Sequence, residues 1–93
     1  MRNPPVGSGS TIAVGGTAQQ VAPASQLRNG FQFFNTSANA MKINEINGTA
    51  ANDNVSILVP ANSSYTTPAG VSPIFAVSVW CATATSTYTW REW

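Results

Sequence analysis

The chain closes on Ile74-Phe75-Ala76-Val77-Ser78-Val79-Trp80-Cys81, then Ala82-Thr83-Ala84-Thr85-Ser86, then Thr87-Tyr88-Thr89-Trp90-Arg91-Glu92-Trp93. Two runs rich in β-branched and aromatic residues, separated by small polar ones, predict two strands joined as a β-hairpin. The stretch holds all three tryptophans, one of the two tyrosines and the single cysteine, so the rest of the chain is expected to pack onto it. Period-two alternation along the last run puts Tyr88, Trp90 and Glu92 on one face and Thr87, Thr89, Arg91 and Trp93 on the other. Trp90 and Trp93 therefore cannot share one core, and the outward one is a candidate partner contact, because a large indole is poorly placed in water.

The same pattern continues upstream in weaker form. Phe31, Phe33 and Asn35 point one way with Gln32 and Phe34 the other. Met41, Ile43 and Glu45 alternate with Lys42, Asn44 and Ile46. Val55, Ile57 and Val59 make an apolar face that Pro60 stops, having no N–H to give a ladder. Thr11-Ile12-Ala13-Val14, the small-residue stretch with Ala18, Gln20 and Ala22 on one side, and Tyr65-Thr66-Thr67 add short strand candidates. Gly15-Gly16, Asn29-Gly30, Asn47-Gly48, Asn62-Ser63-Ser64 and Pro68-Ala69-Gly70 are turn signals between them. No segment has helical spacing of apolar residues. The fold class is all-β, a small antiparallel β-sandwich or flattened barrel of seven to eight short strands. Residues 1–10, with Pro4, Pro5, Gly7 and Gly9, show no periodicity and are expected as an extended N-terminal arm, flexible or bound to a partner. Residues 11–93 form the sandwich domain.

Composition excludes most chemistry. Of 93 residues only 8% are charged, about a third of the usual 25%. The net charge is +1, and Arg2, Arg28, Lys42 and Arg91 are scattered, so no basic patch exists to neutralise a row of phosphates. No stretch resembles a signal peptide or a membrane span, which predicts a soluble chain made in the cytoplasm. Histidine is absent, removing the commonest general base, the commonest metal ligand and the Ser-His-Asp arrangement together. Glu45, Asp53 and Glu92 show no spacing that pairs them for acid/base work. Asn52-Asp53-Asn54 reads as a polar turn and not as a calcium loop. Cys81, alone in an apolar run, reads as a small core residue with no disulfide partner. The expectation is a protein that is not an enzyme, with no catalytic residue, cofactor, metal or small-molecule substrate, and no direct contact with nucleic acid or membrane.

Several motifs, in order and spacing, resemble a family of short proteins from the virion gene clusters of tailed bacteriophages and prophages. They are Gly15-Gly16-Thr17-Ala18-Gln19, Leu27-Arg28-Asn29-Gly30-Phe31 leading through Phe33 to Asn35-Thr36-Ser37, and Met41-Lys42-Ile43-Asn44. Further on come Leu58-Val59-Pro60-Ala61-Asn62, Pro68-Ala69-Gly70, Ala76-Val77-Ser78-Val79-Trp80-Cys81-Ala82-Thr83 and Thr89-Trp90-Arg91-Glu92. The resemblance covers about residues 15–92. It implies a small β-sandwich or barrel made in the bacterial host cytoplasm and built into a phage particle in many copies, on the head or in the tail; the capsid surface is the expected location. The leading expectation is a head decoration or cement protein that binds the major capsid protein and copies of itself, as a trimer where capsids offer local threefold positions. The alternative is a tail, fibre or receptor-binding module recognising host surface glycans. In either role Trp90, Trp93, Arg91 and the arm residues Pro4, Pro5 and Val6 are the expected partner interface.

Overall fold

Phe31, Phe33 and Asn35 are buried while Gln32 and Phe34 between them are half-exposed, as the alternation predicts. Repeated along the chain, that pattern builds two antiparallel sheets. The computed structural model describes residues 6–24, 28–45, 49–51, 56–68 and 75–93. The first sheet contains β1 (Val6–Thr11), β3 (Phe31–Asn35), β6 (Ser64–Thr66) and β8 (Thr87–Glu92) in the order β1-β8-β3-β6. The second contains β2 (Gln19–Ala22), β4 (Met41–Asn44), β5 (Ile57–Val59) and β7 (Val77–Trp80) in the order β2-β7-β4-β5. Every pairing is antiparallel. The chain is all-β, and the two strand orders are those of an eight-stranded jelly roll.

This topology corrects the terminal hairpin. The strands β7 and β8 lie in different sheets, and among the described strands only the β4–β5 connection stays within one sheet. Residues 81–86 form an arch over the end of the sandwich, packed on a second arch at residues 12–18. Ile12 donates its N–H to the Ser86 carbonyl (2.8 Å), Thr85 donates to Ile12 (2.8 Å), and Gly16 donates to Cys81 (2.8 Å). The arches touch so closely at Gly15 that a Cβ there would fall 2.5 Å from the Ala82 carbonyl oxygen. Small polar residues between two strands predict a tight turn, but here the arch satisfies its backbone on the neighbouring arch, which no local pattern encodes.

Other expectations shift for similar reasons. The arm boundary at residue 10 falls inside β1, since residues 6–11 pair with β8 in unbroken register from Val6 opposite Glu92 to Thr11 opposite Thr87. The strand expected at residues 11–14 is instead the end of β1 and the start of the arch. A register shift between Gln20 and Ala22 turns Ala22 into the core while Gln20 stays exposed, so the two do not share a face. Asn29-Gly30 makes no turn: Gly30 exchanges backbone hydrogen bonds with Trp93 (3.0 and 3.1 Å), and the Trp93 indole occupies the space a Gly30 Cβ would need.

Between the sheets, Phe31, Phe33 and Tyr88 from the first face Ala22, Met41, Ile43, Val59, Val77 and Val79 from the second, with Ile12 and Cys81 added from the arches. Phe33 stacks on Tyr88 with ring centroids 5.3 Å apart, and Phe31 on Trp90 at 6.1 Å. Burying each phenylalanine contributes about 1.5–3 kcal/mol. One end of the sandwich is locked by Asn35, whose amide N–H groups donate to the carbonyls of Asn39, Val59 and Pro60 while its oxygen accepts from the Ser37 N–H and hydroxyl.

The other end is locked by Arg28, whose side chain is fully buried. Its guanidinium donates to the Phe75 carbonyl (2.8 Å), the Pro23 carbonyl (2.6 Å) and the Glu92 carboxylate (3.3 Å), and it lies 5.7 Å from the Phe31 ring centroid. One side chain thus joins the segment after β2, the segment before β7 and the end of β8. Removing one partner of a buried ion pair typically costs about 3–5 kcal/mol. Arg28→Ala is expected to lose a comparable amount in urea unfolding, and a loss below about 1 kcal/mol would show that the pair is dispensable.

Candidate functional site

The outward faces and the open edge carry the groups that the core does not use. On the first sheet, register places Gly7, Arg91, Gln32 and Thr66 in one row across four strands, and Gly9, Thr89, Phe34 and Ser64 in the next. The Arg91 Nε donates to the Gln32 amide oxygen (2.8 Å), whose nitrogen donates to the Thr66 hydroxyl (2.9 Å), and the Arg91 guanidinium sits 5.6 Å from the Phe34 ring centroid. An open trough of about 450 Å³ runs over Gly7, Ser8 and Gly9 between Thr89, Arg91 and Phe34. A second trough of about 310 Å³ lies on the other side of Phe34, lined by Asn35, Thr36, Asn62, Ser63 and Ser64. The glycines give the first trough its flat floor, and Phe34 forms the ridge between the two.

On the outward face of the second sheet, Lys42 lies opposite Trp80 on one side and Leu58 on the other. Leu58 is 55% exposed and Trp80 is half-buried. This row follows from the alternation that buries Val77, Val79, Met41 and Ile43. The sequence emphasis on Trp90 and Trp93 passed over Trp80, although its position one residue beyond Val79 was the available signal.

The residues expected at an interface are not brought together as one patch. Trp90 turns inward, half-buried against Phe31; Arg91 is exposed on the outward face; Trp93 is half-buried over Gly30. The residue Val6 begins β1 opposite Glu92. Pro4 and Pro5 lie outside the described residues, as does Asp53.

Both described carboxylates are engaged. Glu92 pairs with Arg28. Glu45, just beyond β4, accepts a short hydrogen bond of 2.5 Å from the Tyr65 hydroxyl on β6, bridging the two sheets, while its other oxygen is buried with no hydrogen-bond partner. Burial raises the Tyr65 hydroxyl well above its ordinary value of 10.0, and the hydrogen bond to Glu45 and the negative charge of that carboxylate raise it further. Among the described residues no three His, Cys, Asp or Glu side chains converge as a metal would require, and no helix is long and apolar enough to cross a membrane.

No protein-family model matches the chain, and no curated protein matches it. A chain from a solved structure of Bacillus endospore appendages, described as forming a novel family of disulfide-linked pili, is similar in fold. The TM-score is 0.54 at 20% identity, over 96% of this chain and 84% of that one. The likeness is one of fold. The sole cysteine of this chain, Cys81, is fully buried with its thiol 3.5 Å from the Ala40 carbonyl oxygen, and so is not placed to link copies by disulfides.

The Tyr65 shift sets an alkaline limit. A hydroxyl whose ionisation is raised on folding contributes stability that is fully present below the unfolded value and is lost as pH rises through the folded one. The stability difference between wild type and Tyr65→Phe should hold constant through neutral pH and shrink in favour of the variant above about pH 10, read by urea unfolding at stepped pH. A difference that stays flat past that point would contradict the assignment.

Proposed function

We propose that this chain is a non-catalytic structural protein of a tailed-phage particle, a head decoration or cement protein that lies on the capsid surface and binds major capsid protein and copies of itself. The observation that carries this reading is the row Trp80, Lys42, Leu58. An exposed leucine and a half-buried indole on an outward sheet face, in a chain with 8% charged residues, suit the centre of an interface with a polar rim. The mechanism is burial: the indole and leucine act as anchors while polar side chains in the neighbouring row, Gln20 and Ser78, supply hydrogen bonds. The fold likeness to a pilus-forming chain supports a role in assembly and is neutral between a head, a tail and other particles.

A second reading, a tail, fibre or receptor-binding module for host surface glycans, draws on Phe34, an outward ring between two troughs edged by hydroxyl and amide groups. Copy number separates the two. Quantitative mass spectrometry of purified particles should find hundreds of copies for a cement protein, whereas a dozen or fewer would favour the tail module. Leu58→Glu should weaken particle binding by about 2 kcal/mol or more while leaving the thermal midpoint of the isolated chain unchanged. Equal occupancy by that variant would remove the sheet face from the interface.

A further inference from the structure

We propose that the open edge of β1 is where a second copy of this chain adds its own β1, antiparallel and two-fold symmetric about Gly9, so that two four-stranded sheets become one of eight strands. The inference rests on the structural reading above and gives it a specific contact. It starts from hydrogen-bond parity. The N–H of Ile12 donates to Ser86 in the register that carries on through β1 and β8. Antiparallel partners alternate between bonded and non-bonded pairs, so Ser10 and Ser8 turn their backbone groups toward β8, while Gly7, Gly9 and Thr11 turn theirs to the open side. Of those outward groups, the Thr11 carbonyl accepts from Gln19 (3.1 Å) and the Gly9 carbonyl from the adjacent Ser8 hydroxyl (3.3 Å), each leaving a lone pair.

The other three sheet edges are blunted. The strands β5 and β6 are three residues long, and β2 is broken by its register shift. By contrast β1 runs six residues with no proline and no charge, and among the described residues only the Gln19 amide, bonded to the Thr11 carbonyl and the Ala13 N–H, reaches its outer side. Gly9 supplies the second observation. A Cβ there would sit 3.7 Å from the Tyr88 carbonyl oxygen and 3.9 Å from the Thr89 hydroxyl, ordinary contacts, and the backbone is not left-handed. Gly7 differs, for its Cβ would fall 2.4 Å from the Trp90 carbonyl oxygen. The protomer requires Gly7 and does not require Gly9. A strand glycine with no use inside its own protomer leaves this stretch of the edge flat, with no side chain for an incoming strand to displace.

The second copy fits because the edge is self-complementary. With the two-fold axis at Gly9, each Gly7 faces the partner copy's residue 11 and Gly9 faces its own equivalent, which uses all three outward residues in about six hydrogen bonds. Shifting by two residues either way leaves one of the three without a partner. Among the described residues the nearest like charges, the two copies of Arg91, then lie about 20 Å apart, beyond the screening length at physiological salt. The threonine arriving opposite Gly7 meets the glycine-floored trough, where no side chain stands in its way.

Sedimentation velocity on the full chain tests this with wild type, Gly9→Ala, Gly9→Pro and Gly9→Lys. Proline at residue 9 removes an outward N–H while sparing the ladder to β8, and lysine places a charge beside the axis. Wild type and Gly9→Ala should dimerise. Gly9→Pro and Gly9→Lys should associate at least thirtyfold more weakly while keeping wild-type circular dichroism. Wild type that stays monomeric at millimolar concentration, or a folded Gly9→Pro that dimerises as well as wild type, would overturn the proposal. Particle binding is measured in parallel. Monomeric wild type whose particle binding is lost in Gly9→Pro assigns the edge to a strand of the shell, which refutes the second copy and leaves the structural role standing. A Gly9-dependent dimer that binds no particle supports the pairing and removes the particle role instead.

Discussion

A guanidinium with no access to water holds this sandwich closed at one end. Taking Arg28 out of solvent costs several kcal/mol, and the cost is met only where its donors find acceptors in fixed positions. The carbonyls of Pro23 and Phe75 and the carboxylate of Glu92 supply them. Those groups come from parts of the chain distant in sequence, so the requirement of one side chain sets the relative position of three segments. Glu92 also ends β8, opposite Val6 on one side and Phe31 on the other. The next residue, Trp93, lies over Gly30 and exchanges backbone hydrogen bonds with it. With its end fixed twice, β8 becomes a rigid rail, and β1, which among the described strands pairs with β8 alone, inherits that rigidity. An edge held still in extended form loses little entropy when another strand joins it.

The face of each strand was legible in the sequence wherever large apolar residues alternated. Phe31 and Phe33, Met41 and Ile43, Val77 and Val79, and Tyr88 all point inward as a period of two requires. Asn35 could be placed on the inward face but its meaning could not be read, since its five hydrogen bonds reach residues as far away as Pro60. Partner choice was not legible at all. Alternation and turn residues say that a chain reverses and are silent on whether it reverses within a sheet or across two, so 74–93 read as a hairpin. Arg28 read as one of four scattered charges because a burial site that needs Phe75 and Glu92 beside the nearby Pro23 leaves no local trace. Gly30 carried a turn signal for a reason unrelated to turns: the space above it belongs to Trp93.

The site was legible only in outline. Absence of histidine and scarcity of charge pointed away from catalysis and toward surfaces, and Trp90 and Trp93 were assigned to opposite faces. What the pattern missed was that an indole can be half-covered without a partner, as Trp93 is by lying across a glycine. Trp80, with fewer sequence cues, stands on the outward face in line with Leu58 and Lys42. The proline- and glycine-rich start of the chain suggested an extended arm, flexible or bound to a partner, because it shows no periodicity and glycine and serine lack strand propensity. Pairing with β8 overrides that propensity for residues 6–11, and the same lack of side chains leaves the edge flat and approachable.

Two outward sheet faces, one aliphatic and aromatic, the other troughed and polar, flank an edge whose hydrogen-bonding groups alternate between used and unused. Amide hydrogen exchange at single-residue resolution reads that alternation directly, comparing the dilute free chain with the assembled state. Ser8 and Ser10 should exchange slowly in both, being bonded to β8, while Gly7, Gly9 and Thr11 should exchange fast when free and slow on assembly. Fast exchange at those three residues in the assembled state, with protection appearing elsewhere, would contradict assembly through this edge.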